Sequence, residues 1–208
     1  KGEAEMSESN LSLASAKGKS YTANFVDTDT AVKVSDNSEI TAASGITAQA
    51  DFLVDVFSHT KFKSGSLYKG NQYNAWNKIN KKNAIEIGKN TKLYSDEGTI
   101  ALKAGDGHND KIGAYAEGGG LSGIANADYI TKNYYAPESS VQTGQGAEIK
   151  VNNGSGTIQL IASNGSADYQ TLDDRKNVQL ISRIDADIGS FWNSTNSYTE
   201  NRYNPKTT

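Results

Sequence analysis

Six aromatic side chains are the residues of this chain best suited to touch something outside it. Tyr68, Tyr73 and Trp76 fall in a polar stretch at about 64–83, and Trp192, Tyr198 and Tyr203 in another at 190–208. Flat rings presented on polar loops stack on sugar faces and anchor protein contacts. The competing reading has the same rings packed down on the body of the protein, holding their loops in place. Other residues promise less. Gly118-Gly119-Gly120-Leu121-Ser122-Gly123 satisfies G-x-G-x-x-G, but a dinucleotide site needs a helix N-terminus next, and Ile124-Ala125-Asn126-Ala127-Asp128-Tyr129-Ile130 alternates like a strand. These small residues read instead as a tight turn or a close backbone approach. Asp106, Asn109 and Asp110 place three oxygen-bearing side chains within five residues, the chemistry a calcium ion accepts, yet the EF-hand spacing and its distal Glu are missing and no metal is assigned. His59 and His108 stand 49 residues apart without a second His at i+4, and both are expected at the surface. Asp173 and Asp174 are adjacent and should point apart. With Arg only at positions 175, 183 and 202, no convergent acid/base or lyase constellation is legible, so no catalytic residue and no cofactor are expected. Four N-x-[ST] sequons, at Asn10, Asn153, Asn164 and Asn193, are what 20 Asn in a Ser/Thr-rich chain give by chance.

The elements that would position such residues announce themselves as a repeat. Ala31-Val32-Lys33-Val34 with Glu39-Ile40 and Gly45-Ile46-Thr47-Ala48 is echoed by Ala84-Ile85-Glu86-Ile87 with Lys92-Leu93 and Gly98-Thr99-Ile100-Ala101-Leu102. It is echoed again by Ser140-Val141-Gln142-Thr143 with Glu148-Ile149 and Gly156-Thr157-Ile158-Gln159-Leu160. Aligning Val34, Ile87 and Thr143, or Ile40, Leu93 and Ile149, gives spacings of 53 and 56 residues. Each copy alternates with period two and is cut into short pieces by Gly, Asn, Asp and Ser, so it reads as strands that must stack on their neighbours to bury anything. The expectation is an elongated all-β solenoid. At about 20 residues per coil, each copy would make two and a half to three coils, and the chain would stand on the order of 50 Å tall. Ile87, Leu93, Ile100, Leu102, Ile149, Ile158 and Leu160 should face inward, and the two aromatic stretches should leave the coil as inserted loops. One short segment, 168–176, could begin a helix but has no apolar stripe.

Composition narrows the partners. Only 36% of the residues are hydrophobic, Ser plus Thr number 38, and cysteine is absent, which removes disulfides, thiolate metal sites and thiol nucleophiles. The net charge is −3 with both signs interspersed, so no basic stripe exists for nucleic acid. No apolar stretch approaches the ~20 residues of a membrane helix. A cysteine-free, acidic chain rich in Asn, Gly, Ser and Thr suits a bacterial protein secreted to the cell surface. Lys1-Gly2-Glu3-Ala4-Glu5 reads as an internal cut, with the whole of 1–208 a single segment of a longer parent.

The unit Ile85-x-Ile87-Gly88-x-Asn90-x-x-Leu93 with Gly98-Thr99-Ile100-x-Leu102-x-Ala104, and the alternating Ala around Gly118-Gly119-Gly120, resemble repeat segments of the very large filamentous adhesins of Gram-negative-type bacteria. That is the filamentous-haemagglutinin and leukotoxin-like family exported by two-partner secretion. The likeness spans residues 10 to 165; the dense aromatics and the region after Ser163 depart from it. It implies a right-handed parallel β-helix with inserted loops, export through an outer-membrane transporter, and a shaft that supports adhesion and virulence. It transfers no catalytic residue. Contact with a host or surface glycan or protein would then run through Tyr68, Tyr73, Trp76, Trp192, Tyr198 and Tyr203. The alternative on the same scaffold is a polysaccharide lyase or glycoside hydrolase.

Overall fold

The computed structural model describes residues 2–11, 15–105, 110–164, 167–168 and 178–208. Among them there is no helix. The strands are β1 (Gly2–Leu11), β2 (Ser15–Val34), β3 (Glu39–Ala42), β4 (Gly45–Ala50), β5 (Asp55–Ile87), β6 (Lys92–Ser95) and β7 (Thr99–Ala104). They continue as β8 (Lys111–Thr143), β9 (Glu148–Val151), β10 (Thr157–Ala162), β11 (Ala167–Asp168), β12 (Val178–Tyr203) and β13 (Lys206–Thr207). Every pairing is parallel. The largest sheet stacks β1 and β2 on β5, β5 on β8, and β8 on β12; two smaller sheets run β3-β6-β9 and β4-β7-β10.

The pairing register reproduces the alignment of the three sequence copies. Val34 lies against Ile87 and Ile87 against Thr143, Ile40 against Leu93 and Leu93 against Ile149, Ile46 against Ile100 and Ile100 against Ile158. Copies 53 to 58 residues apart are therefore immediate neighbours, and one copy makes one circuit of the chain. This corrects the expected coil of about 20 residues and the height that followed from it. The main sheet is four circuits deep, so its first and last backbones are only about 15 Å apart at ~4.8 Å per step.

The missing length lies in the cross-section. The stretches 64–83 and 190–208 are not inserted loops: the first is wholly inside β5, and the second continues β12 into β13. β5 doubles back on itself, because Ser58 Oγ donates to Asn77 Oδ1 (2.7 Å), Thr60 Oγ1 to the Asn74 carbonyl (2.9 Å), and Phe62 packs edge-on against Tyr73. Its two arms face each other through side chains around a bend near 64–70. β12 does the same where Ser182 Oγ meets Asn201 Oδ1 at 2.8 Å. The sequence disguises this arch because much of its interior is polar, so alternation of apolar with polar residues is lost where both faces carry Asn, Ser and Thr.

Three apolar clusters run along the cross-section. Phe62, Tyr73, Ala116, Ala127 and Tyr129 fill the arch near its bend; Val54, Val56, Ile79, Ile112, Tyr135 and Leu180 fill its base; Ala50, Ile85, Ile87, Leu93, Leu102 and Ala104 fill the part closed by the small sheets. Gly118 is required by the first cluster, since a Cβ there would collide with the Tyr129 ring. The turn after the long strand needs a left-handed residue in each circuit, and the same register position holds Asn37 (φ 57°), Asn90 (φ 52°) and Gly146 (φ 75°). These residue types reach that conformation at least cost.

Of the residues expected to face inward, Ile87, Leu93, Ile100 and Leu102 are buried, whereas Ile158 and Leu160 are 46% and 52% exposed. Their register is as expected, but β10 is the end strand of its sheet and nothing described covers it; Ile149, in the end strand β9, is half-buried for the same reason. Ile100→Asp should therefore lose several kcal/mol by burying an unpaired carboxylate, and Ile158→Asp well under half as much. Urea unfolding of the two variants checks this, and equal losses would contradict the stacking order.

Candidate binding face

The second arm of each arch, 68–82 in β5, alternates strictly. Asn71, Tyr73, Ala75, Asn77 and Ile79 point inward, and Gln72, Asn74, Trp76, Lys78 and Asn80 outward. Stacking the circuits in register turns these outward positions into columns: Tyr21, Asn74, Ile130 and Tyr198; Ala23, Trp76, Lys132 and Glu200; Phe25, Lys78, Tyr134 and Arg202. The result is one flat face carrying five aromatic rings. Trp76 packs edge-on against Phe25 (centroids 5.1 Å) and Tyr21 (6.0 Å), and its Nε1 donates to the Tyr21 hydroxyl. A shallow open groove of about 230 Å³ runs beside it, lined by Tyr21, Asn74, Trp76, Ile130, Lys132 and Tyr134.

Charge on this face is concentrated around Glu200. Its Oε2 accepts from the Tyr134 and Tyr198 hydroxyls, each at 2.9 Å, its Oε1 pairs with Arg202 Nε, and Lys132 Nζ lies 3.9 Å away. Arg202 sits over the Tyr134 ring and Lys132 over the Tyr198 ring, at 5.5 and 5.1 Å from the centroids. The hydrogen bond from Tyr134 above all, helped by Tyr198 and Arg202, holds the Glu200 carboxyl below the usual carboxylate range. A general acid for glycoside cleavage needs the opposite shift, so Glu200 is built to stay ionised and hold its neighbours. Tyr134 is pushed up by burial and by Glu200, and Tyr198 by its bond to Glu200, so both remain protonated donors near neutral pH.

The six aromatics singled out from sequence divide between two outward surfaces and the interior. Trp76 and Tyr198 are on the flat face. Tyr68 and Trp192 sit at the bend of the arch, where Tyr68, Ile124 and Trp192 form an exposed column beside Leu67, Leu121 and Phe191. Tyr73 is wholly buried, stacked on Tyr129 at 4.5 Å with the rings 6° from parallel, and so cannot contact a partner. Tyr203 packs against the cluster at the arch base, 5.8 Å from the Tyr135 ring, and its hydroxyl donates to the Asn164 carbonyl. The packing alternative thus holds for these two because they occupy inward positions of a strand, which a loop reading could not anticipate. Sequence reasoning missed Tyr21, Phe25 and Tyr134: each lies two positions along its strand from the column of Trp76, a relation that only the register between circuits reveals.

Two interior features were also not anticipated. Lys81 reaches inward between Asp51 and Asp110, and Lys69 donates to the Gly119 carbonyl at 2.6 Å, with burial lowering its ammonium pKa. His59 is half-buried, not at the surface as expected: its ring stacks on Tyr115 at 4.6 Å and its Nε2 lies 3.5 Å from Glu117. Glu117 is held below its ordinary value chiefly by the hydrogen bond from Lys61. Asp106, His108 and Asn109 of the oxygen-rich loop, the Asp173-Asp174 pair, Arg175 and all but the first residue of the short helical candidate at 168–176 lie outside the described residues; Asp168 is in β11. Among the described residues no three His, Asp or Glu side chains gather as a metal site would require. Compared with protein families, curated proteins and solved structures, the chain matches none.

Proposed function

We propose that this chain is a structural and adhesive segment of a secreted bacterial surface filament, a right-handed parallel β-helix that presents its flat aromatic face to sugar rings. The observation that carries the reading is the alignment of Tyr21, Phe25, Trp76, Tyr134 and Tyr198 on one outward face of the stacked arms. A ring exposed singly is ordinary; five on a rigid plane, with Arg202, Lys132 and Asn74 between them, match the alternation of apolar faces and hydroxyls along a glycan. The parallel, in-register stacking of successive circuits supports the shaft. The resemblance to the two-partner-secreted adhesins supports the location and export through an outer-membrane transporter.

A panel of neutral and acidic glycans on a surface tests it. Replacing Trp76 and Tyr134 together with Ala should weaken binding about 30-fold, at roughly 1 kcal/mol per stacked ring, with the melting temperature moved by only a few degrees. Tyr73→Ala should instead lower the melting temperature, because that ring is inside. Binding that survives the double substitution would remove the flat face from consideration, and clean cleavage of any glycan would install the lyase or hydrolase reading.

A further inference from the structure

The bend of the arch gathers six exposed apolar side chains on one ridge. Leu67, Tyr68, Leu121, Ile124, Phe191 and Trp192 all stand out of the body there, and Phe191 is 100% exposed. At these exposures the ridge presents about 800 Å² of surface, more than the largest patch on an ordinary monomer and about one side of a standard protein interface. The ridge lies at the side of the stack, where each circuit turns back on itself. Circuits added before β1 or after β13 would lengthen it and leave it uncovered.

Its relief has a pattern. Ser66, Ser122 and Ser190 lie in register, and the last two bury their hydroxyls. Alternation then turns the residues on either side of each serine outward. They are Gly65 and Leu67 in β5, Leu121 and Gly123 in β8, and Gly189 and Phe191 in β12. In each circuit one of the two is large and the other is glycine, and the large one changes sides from circuit to circuit. The ridge is therefore a checkerboard, two columns wide. A hollow of about 510 Å³ opens in it, lined by Leu67, Leu121 and Phe191 and by Gly123 and Gly189.

We propose that this ridge joins two copies of the chain, bend to bend, about a two-fold axis running along the stack. That operation exchanges the two columns and keeps each circuit level with itself. Leu67 then meets Gly65 of the other copy, Leu121 meets Gly123, and Phe191 meets Gly189, each contact being made twice. Every large side chain enters a hole, which supplies the close fit that a stable interface needs beyond its area. An axis across the stack through β8 would instead set Leu121 on Leu121 and Phe191 on Leu67, so the checkerboard selects the parallel arrangement. The rims agree with it. Lys63, Gly119 and Asp187 line the first-arm side of the ridge in register, and Tyr68, Ile124 and Trp192 the second-arm side. The two-fold brings one rim against the other, a cation toward the Tyr68 ring and a carboxylate toward the Trp192 N–H, with no like charges set together. The two flat aromatic faces end on opposite sides of the pair, and the contact is independent of what they bind.

Sedimentation of the unmodified chain should show a dimer that grows no further. Phe191→Ser removes the largest knob and should weaken it about tenfold or more, with the melting temperature unchanged. Gly189→Val is the sharper variant. It adds apolar area, and its Cβ would meet only the Leu121 side chain of its own copy, but it fills the hole that takes Phe191. The dimer should again weaken about tenfold or more while the monomer melts as before, whereas a patch that is merely sticky, or that seeks lipid, would gain from the added methyls. Because the chain has no cysteine, single cysteines test the orientation. With a short bifunctional thiol reagent, a mixture of Gly119→Cys and Ile124→Cys chains should crosslink, and neither chain alone should. A chain that stays monomeric at about 100 μM would overturn the proposal. So would a Gly189→Val dimer as tight as the unmodified one, crosslinking within either single variant, or a monomer that floats with phosphatidylcholine vesicles.

Discussion

Lys81→Met is expected to destabilise this protein by about 3–5 kcal/mol, the usual consequence of removing one partner from a buried ion group. Lys81 Nζ stands 3.0 Å from Asp51 Oδ1 and 3.1 Å from Asp110 Oδ2, with all three side chains 5% exposed or less. Asp110 is held further by the Val54 N–H at 2.8 Å and by the Tyr135 hydroxyl. Burial first, and the Asp110 charge after it, push the Tyr135 phenol well above its ordinary pKa, so it stays a donor. Asp51 and Asp110 belong to the connections that carry the chain from one circuit into the next, while Lys81 comes from the arm of the arch; the cation ties two consecutive crossings to the long strand between them. Methionine fills the space of the stem but leaves two carboxylates facing each other out of water. For a chain of this length the loss should appear as a fall in melting temperature on the order of 10 °C. Adding Asp51→Asn and Asp110→Asn to Lys81→Met should recover most of it, because neutral partners carry no Born penalty. A loss below about 1 kcal/mol in the single variant would show that the two carboxylates are hydrated.

What could be read from sequence divides along the same line as the interior. Where the core is apolar, the repeat gave strand, spacing and register together: Ile40, Leu93 and Ile149, or Ile46, Ile100 and Ile158, pair as their alignment requires. The length of a circuit was not legible, because a copy of 53 residues is compatible with several short coils or one wide one, and only long-range pairing tells them apart. The arch was misread as loop for a related reason. Strands with Asn77, Ser58 and Thr60 inside, and with Trp76, Tyr21 and Phe25 outside, invert the pattern on which alternation depends. Aromatics on the outside of a strand look like an irregular loop, and an asparagine inside looks like a turn. The binding face suffered the same fate: Trp76 and Tyr198 were singled out as types, but their neighbours on the face come from other circuits and are 51 to 122 residues distant in sequence, as Phe25, Trp76 and Tyr198 show. Such a surface becomes visible only once the register is known.

The ladder of asparagines that hid the arch, Asn24, Asn77, Asn133 and Asn201 in register, should also be its most sensitive point. Asn77 is completely buried and uses both ends of its amide: Nδ2 donates to the Gly113 carbonyl at 2.7 Å and to Asn133 Oδ1 at 2.8 Å, while Oδ1 accepts from Asn24 Nδ2 at 2.9 Å and Ser58 Oγ at 2.7 Å. Asn77→Asp changes almost no volume, yet it replaces the donor with an oxygen aimed at two acceptors and adds a charge with no cation beside it. The expected cost near neutral pH is about 3–5 kcal/mol, from two lost donor bonds and the desolvated carboxylate. Its pH dependence has a definite sign. Burial among acceptors raises the folded-state pKa of the introduced carboxyl above the ~3.9 of the unfolded chain. Below the unfolded value both states are protonated, the acid O–H can donate to Gly113 or Asn133, and the deficit is smallest. As pH rises past the unfolded pKa the unfolded chain ionises first, so the deficit grows until the folded pKa is reached and then levels off. Urea unfolding of variant and unmodified chain at matched pH from 3 to 8 isolates this term, since every other titrating group is common to both. A deficit that is flat across that range would mean the introduced carboxylate finds water inside the arch, and that the ladder is a solvated row and not a dry seam.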